Sequence, residues 1–353
     1  MDFTGWANGE DLMETSSVPA TQINVALAFS DPDGSYARHA AVVLASIFKN
    51  TAHSVCVYVL HDASLSEWNR RKLEETAQVF SQELHFVDVS DFVENQKKSP
   101  PSELAGMSYR LFIPRILDLE KVIYLDCDIV VNLDIADLWC QPLDGKPIGA
   151  VQDILPNVWK KLGFVFWMRI NCFYKAIGLS AEHYFNSGIL LMDLEKIREI
   201  RDFCGQVATF YERYGNAAMC VDQDCLNYIF KNNWHVLDGR FNRLDTSGAI
   251  SKEETSGYIW HYATSEKPWF VYSRKNIDLL YWHYLKYTAY CKDEDDFTEM
   301  MLEGLGNSRV VHKRARDCAV TLIQRIAHRL YLNSIRLCAE MLKVYMASFL
   351  RKK

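Results

Sequence analysis

The ten cysteines of this 353-residue chain include no CxxC pair. This removes the usual spacing of a zinc ribbon or a dithiol redox centre and suits reduced, mostly buried thiols in a cytosolic protein. No apolar run approaches the ~18 residues that would span a bilayer. The opening stretch, MDFTGWANGEDLMETSSVPATQ, lacks both the basic start and the apolar run of a secretory signal, and residues 1–21 read as a loose lead-in. Internal repeats and low-complexity tracts are absent, and no nucleic-acid module is recognisable. A transmembrane helix is therefore not expected, and nucleic-acid binding is left as a third possibility for the basic C-terminal stretch, less favoured than a membrane role. A chain with 49% hydrophobic residues can bury a sizeable core in one large or two small domains.

Charge is unevenly spread. Arg309 to Lys353 carries eleven Lys or Arg against two acidic residues, which leaves 28 basic against 43 acidic residues in the remainder. Such asymmetry points to a tail that meets an anionic surface. Within it Leu322, Ile326, Leu330, Leu337, Met341, Tyr345 and Phe349 recur at helical steps beside Arg325, Arg329, Arg336 and Lys343. This is the pattern of a basic amphipathic helix, suited to a membrane interface or, alternatively, to docking on the acidic body.

The first part of the chain alternates apolar strands (INVALAF, SVCVYVLH, LHFVDV) with helical segments (YARHAAVVLASIFKN, SEWNRRKLEETAQVFS), the second helix introduced by a possible capping box from Ser64 to Glu67. Parallel strands with crossover helices are expected, with a ligand at the strands' C-terminal ends. Past Gly149 the pattern becomes mixed. The stretch VIYLDCDIVV, Val122 to Val131, reads as one buried strand holding two aspartates. Side-chain alternation would put Asp126 and Asp128 on one side, and Leu125, Cys127 and Ile129 on the other, where Cys127 is a small core residue. Two neighbouring buried carboxylates need cations or a raised pKa, and a bound metal would satisfy both.

Three further stretches place polar groups where apolar ones are expected. They are YFNSGILLMDL with Asn186, VDQDCLNYIF with Asp222, Gln223 and Asp224, and IWHYATSEKPW with His261 and Lys267. Singly, each has an ordinary explanation: a helix cap for the aspartates, a hydrogen-bonded core position for His261, a solvated charge for Lys267. As an ordered set from about Ile23 to Trp269 they resemble the family 8 retaining glycosyltransferases, which include lipopolysaccharide-core and lipo-oligosaccharide transferases and glycogenin.

That resemblance implies an α/β fold of the GT-A type over residues 22–300, followed by the basic tail at 301–353. It also implies that Asp126, Asp128 and His261 hold one divalent cation, usually Mn2+ with Mg2+ possible, with Cys127 between the aspartates in the donor site. Carboxylate, imidazole and diphosphate ligands suit such an ion. Lys267 matches a diphosphate-binding lysine and Arg110 a basic residue at the donor. Asp33 matches the reader of uracil and Tyr36 the tyrosine beside it, although Asp31 offers an alternative carboxylate and Ser35 replaces the usual asparagine. Thr264 stands where a glycine often approaches the phosphate. Asn186, Asp222 and Gln223 would surround the transferred sugar, and Asp153 would lie near the acceptor. The position below the anomeric carbon is matched by Gln223, a poor nucleophile, which favours front-side attack, with Asp222 as the fallback. The aromatic stretch from Asn157 to Tyr184, with Trp159, Phe173 and Tyr174, reads either as a wall for acceptor sugars or as core packing.

The implied activity is transfer of glucose or galactose from UDP-glucose or UDP-galactose to a saccharide or glycolipid acceptor, such as a lipopolysaccharide or lipo-oligosaccharide core. The expected place is the cytoplasm, peripheral on the inner face of the membrane through the tail. The alternatives are a protein glycosyltransferase, self-glucosylating or acting on another protein, and a catalytically silent UDP-sugar or membrane binder.

Overall fold

The computed structural model describes residues 22–95, 106–154, 164–244, 250–263, 267–269 and 276–303. Nine strands are present among them: β1 Ile23–Phe29, β2 Val55–His61, β3 Glu83–Asp88, β4 Lys121–Leu125, β5 Ile129–Asn132, β6 Ile148–Gln152, β7 Phe185–Asp193, β8 His235–Val236 and β9 Tyr258–His261. Seven form one mixed sheet in the order β3-β2-β1-β4-β7-β6-β8, while β5 and β9 make a small antiparallel sheet of their own. The β3-β2-β1-β4 half is parallel, and β7 runs antiparallel to both neighbours. The expected α/β half followed by a mixed half is what the chain builds.

Alternation along the strands divides the core. Val25, Leu27, Ile123, Leu125, Ile189 and Leu191 pack on one face with helix α1, Tyr36–Asn50. Their neighbours Ala26, Tyr124, Leu190 and Met192 pack on the other face with residues of the helices Phe203–Tyr214 and Val221–Phe230. A third cluster joins Val42 of α1 to Trp260 and to the helix Asn276–Leu285. Phe173 and Tyr174, in the helix Phe164–Ile177, are buried in the main core, so at these two positions the packing alternative holds.

Two local expectations are corrected. Helix α2, Glu67–Val79, is capped by Ser66, whose side chain accepts the Asn69 N–H. Ser64 lies before the helix, where its hydroxyl accepts the Asp31 N–H at 2.7 Å. The stretch Val122–Val131 is two strands rather than one. The β4–β7 ladder ends at Leu125, opposite Ile189, and the chain crosses to the small sheet at Ile129, opposite His261. The aspartates lie in the break, where they avoid the apolar interior that a continuous strand would impose. The lead-in 1–21 and the basic tail from 304 onward lie outside the described residues, as do Trp159 and Thr264. Among the described residues, no helix is long and apolar enough to cross a membrane.

Candidate functional site

The break after β4 and the end of β9 meet because Ile129 pairs with His261 and the Tyr262 N–H donates to the Asp128 carbonyl at 2.9 Å. Ligand atoms of Asp126, Asp128 and His261 thereby come within 4.8 Å of one another. Nε2 of His261 lies 3.3 Å from Oδ1 of Asp128 and 3.8 Å from Oδ2 of Asp126. Oδ1 of Asp128 is buried and accepts no hydrogen bond. A buried carboxylate oxygen without a hydrogen bond is costly, and a cation at this point would satisfy it. A side chain at Gly188 is excluded: a Cβ there would come 2.3 Å from Cε1 of His261 and 2.9 Å from Oδ2 of Asp126. The donor set fits a divalent cation, its two carboxylates and one imidazole being typical ligands of manganese.

The two aspartates are electrostatically unlike. Burial raises the pKa of Asp126, only partly opposed by Arg110, and the negative Asp128 raises it further. Burial also acts upward on Asp128, but His261 and then Lys267 outweigh it and hold this carboxyl well below its usual range. Nζ of Lys267 sits 2.5 Å from Oδ2 of Asp128 and 2.5 Å from the Tyr262 carbonyl. Tyr124 donates its hydroxyl to Oδ1 of Asp126 at 2.6 Å.

Arg110 is 5% exposed and bridges two carboxylates, Asp126 at 2.8 Å and Asp222 at 3.0 Å. It also donates to the carbonyls of Met107 and Ser187. Asp222, at the first turn of the Val221–Phe230 helix, is therefore ion-paired. Gln223 next to it is fixed at both ends of its amide. Nε2 donates to Asp153 at 2.8 Å and to the Tyr184 hydroxyl at 3.1 Å, while Oε1 accepts the Ser187 N–H at 2.9 Å. Asn186 donates to the same Asp153 oxygen at 3.4 Å, so Asp153, Asn186 and Gln223 form one polar group. Asp224 belongs to the helix end: it accepts from the Met219 and Cys220 N–H groups and from Tyr184. Burial, partly offset by these bonds, raises its pKa to about 6.

At the end of β1 the two candidate base readers separate. Asp31 is 1% exposed; it accepts the Tyr36 and Ala37 N–H groups and the Asn69 amide, holding the start of α1 against α2. Asp33 is exposed, with Oδ1 accepting from the N–H and hydroxyl of Ser35. Burial raises the pKa of the Tyr36 phenol, and the negative Asp128 raises it further. The Cys127 side chain points away into the core. Residues absent from the sequence-level set also enter the site: Tyr124, Tyr184, Gly188 and Asn242. A glycine within the apolar run of β7 was a readable sign of close approach. Asn242 had no such sign, because only the fold carries it to His261, 3.0 Å away.

Comparison with known proteins agrees with this geometry. The chain is 27% identical over 278 residues to General stress protein A of Bacillus subtilis, covering 73% of this chain and 92% of that protein. It is 26% identical over 176 residues to the lipopolysaccharide 1,2-glucosyltransferase of Escherichia coli K12, covering 46% and 49%. The solved structure of the galactosyltransferase LgtC with donor and acceptor sugar analogues superposes with a TM-score of 0.62 at 22% identity, covering 79% of this chain and 99% of LgtC. That likeness establishes the shared fold. The sequence model of Glycosyl transferase family 8 matches residues 25–272, a span that contains every described residue of the site, and the chain belongs to that family of glycosyltransferases.

Proposed function

We propose that the protein is a metal-dependent retaining hexosyltransferase that moves glucose or galactose from a UDP-sugar to a saccharide acceptor of the lipopolysaccharide or lipo-oligosaccharide core. The observation that carries this reading is the group Asp126, Asp128 and His261, with its buried, unbonded Asp128 oxygen and Lys267 alongside. The names of two similar proteins, a lipopolysaccharide glucosyltransferase and a galactosyltransferase, support the hexose donor, and the first supports the acceptor class. Asp126, Asp128 and His261 would hold Mn2+, or Mg2+ in its place. When bound, such an ion neutralises charge on the departing diphosphate.

The chain's own residues divide the remaining work. Asp33 accepts the uracil N3–H, and the Tyr36 ring covers the base. Lys267 adds a positive charge at the phosphates. Asn186, Asp222 and Gln223 surround the transferred sugar, and Asp153 accepts a hydrogen bond from the acceptor. Thr264 stands at the sequence position of a donor-side glycine, and Cys127, whose side chain lies in the core, has only its backbone to offer the donor. In the transfer, the bond from the anomeric carbon to the UDP oxygen breaks while the acceptor oxygen bonds on the same face. The acceptor's proton passes to the UDP oxygen. Two observations support this front-side course: Gln223 is a poor nucleophile whose amide oxygen is engaged by the Ser187 N–H at 2.9 Å, and the Asp222 carboxylate is ion-paired with Arg110 at 3.0 Å. The basic tail holds the enzyme against an anionic membrane, where a lipid-linked acceptor is presented.

UDP release from a panel of UDP-sugars, with and without manganese, tests the reading. Manganese-dependent release from one donor, lost in Asp128→Ala, is expected; no donor turnover and no metal-dependent UDP binding would overturn it. Mass-spectrometric trapping of a glycosylated Asp222 would replace front-side attack by a covalent route.

A further inference from the structure

The polarity of one buried hydrogen-bond chain is fixed by the backbone. The Gly188 N–H, which can only donate, bonds to Oδ1 of Asn186 at 3.0 Å. This orients the Asn186 amide, whose Nδ2 turns toward the Asp153 carboxylate. A partner of the located Asn186 oxygen must be a donor, and at 2.8 Å it is Nδ2 of Asn242. The Asn242 oxygen is then left facing Nδ1 of His261 at 3.0 Å, and that nitrogen must carry the hydrogen. Asn186, Asn242 and His261 are all buried, so water does not loosen the order. Asn242 itself is anchored through the next residue: the Arg243 N–H donates to the Ile259 carbonyl, and its carbonyl accepts the His261 N–H.

We propose that Asn242 is a positioning residue that holds the His261 imidazole in its Nδ1–H form, so that Nε2 presents a lone pair to the space shared with Asp126 and Asp128. The inference rests on the metal reading of that group. Without the Asn242 oxygen the ring could carry its hydrogen on Nε2 and donate it to Oδ1 of Asp128, 3.3 Å away, closing the site on itself. A ring nitrogen's role is set by the bond its partner nitrogen makes, and groups of this kind behind a ligating histidine change metal affinity by about 10- to 100-fold.

The test uses full-length protein labelled with 15N-histidine, with His261 assigned by loss of its signals in His261→Gln. Long-range 15N–1H correlations, recorded where the imidazole is neutral, report the tautomer directly, and calorimetric titration with manganese chloride alone reports affinity. The wild type should show the Nδ1–H pattern. Asn242→Leu should convert His261 to the Nε2–H pattern and weaken manganese binding by about 10- to 100-fold. Asn242→Asp, which keeps an oxygen on Nδ1, should retain the Nδ1–H pattern. An Nε2–H pattern in the wild type overturns the proposal whether or not the variants fold, as does an Asn242→Leu protein with unchanged tautomer and affinity. A wild type that takes up no manganese, yet shows an Nδ1–H form lost in Asn242→Leu, supports the positioning and removes the metal reading alone.

Discussion

Gly188→Ala should disable the metal group through a single methyl. The added Cβ would stand 2.3 Å from Cε1 and 3.0 Å from Nδ1 of His261, and 2.9 Å from Oδ2 of Asp126. Non-bonded carbons settle at about 3.5–4.0 Å, so the ring must withdraw by roughly 1 Å or more. It has little room to do so: the side chain is 3% exposed, and its Nδ1 bond to Asn242 is already 3.0 Å long. Gly188 is not among the glycines with positive φ, so alanine introduces no backbone strain and only the contact changes. Overpacking of this kind costs about 1–3 kcal/mol, which should lower Tm by a few degrees in a domain of this size. The larger effect is on the group the ring serves, with manganese affinity expected to fall by about 10- to 100-fold. Scanning calorimetry and titration calorimetry with manganese measure the two quantities. Unchanged manganese affinity in Gly188→Ala would refute the reasoning, whatever the Tm.

Arg110→Met keeps much of the packing over the Tyr124 ring but leaves Asp126 and Asp222 without their shared cation. Unpaired buried charge costs about 3–5 kcal/mol, so thermal unfolding should shift down by on the order of 10 °C; a shift within error would show that the carboxylates find other compensation. For Asp224, the folded pKa of about 6 lies above the ordinary carboxyl value of 3.8. The folded state therefore holds this proton more tightly than the unfolded state; the associated stability is complete below the unfolded pKa and is lost as pH rises through about 6, by about 3 kcal/mol in total. Urea melts across this range should show wild-type stability falling with pH relative to Asp224→Asn, and parallel slopes would contradict the assignment. Deletion of Cys318 to Lys353 should release the protein from anionic vesicles in a sedimentation assay; unchanged binding would move the membrane contact elsewhere.

The strand and helix limits of the first half were legible because burial there obeys simple periods. Ile23–Phe29 and Tyr36–Asn50 begin and end where their apolar patterns do. Errors arose where a polar side chain had a choice of distant partners. Ser64 and Ser66 are both plausible caps in sequence, and the choice is made by the Asp31 N–H, which engages Ser64 and leaves Ser66 for the helix. Asp33, with Asp31 as its alternative, is likewise unresolved on paper. Packing of α1 against α2 brings the Asn69 amide to Asp31 at 2.7 Å and leaves Asp33 at the surface. The resemblance in four short stretches named residues that do converge, but not the groups that orient them, since Tyr124, Tyr184 and Asn242 carry no local mark of their task.

Strand alternation alone would put Asp126 and Asp128 on one face, but they converge for a different reason. At the break, the Asp126 N–H still bonds to the Gly188 carbonyl of the large sheet at 2.8 Å, while the Asp128 carbonyl already accepts from Tyr262 beside the small one. Each aspartate is thus held by a different sheet, and the carboxylates meet at the junction, where the large sheet presents a glycine and the small sheet a histidine. A continuous strand would have buried both charges against apolar neighbours with no third element to reach them. Changing sheets opens a polar gap at the C-terminal end of β4, into which Arg110, Lys267 and His261 each bring a positive or coordinating nitrogen from a different part of the chain. The chemistry of the aspartate pair therefore depends on the strand ending at Leu125, and that ending is imposed by the cost of carrying two carboxylates any further into the core.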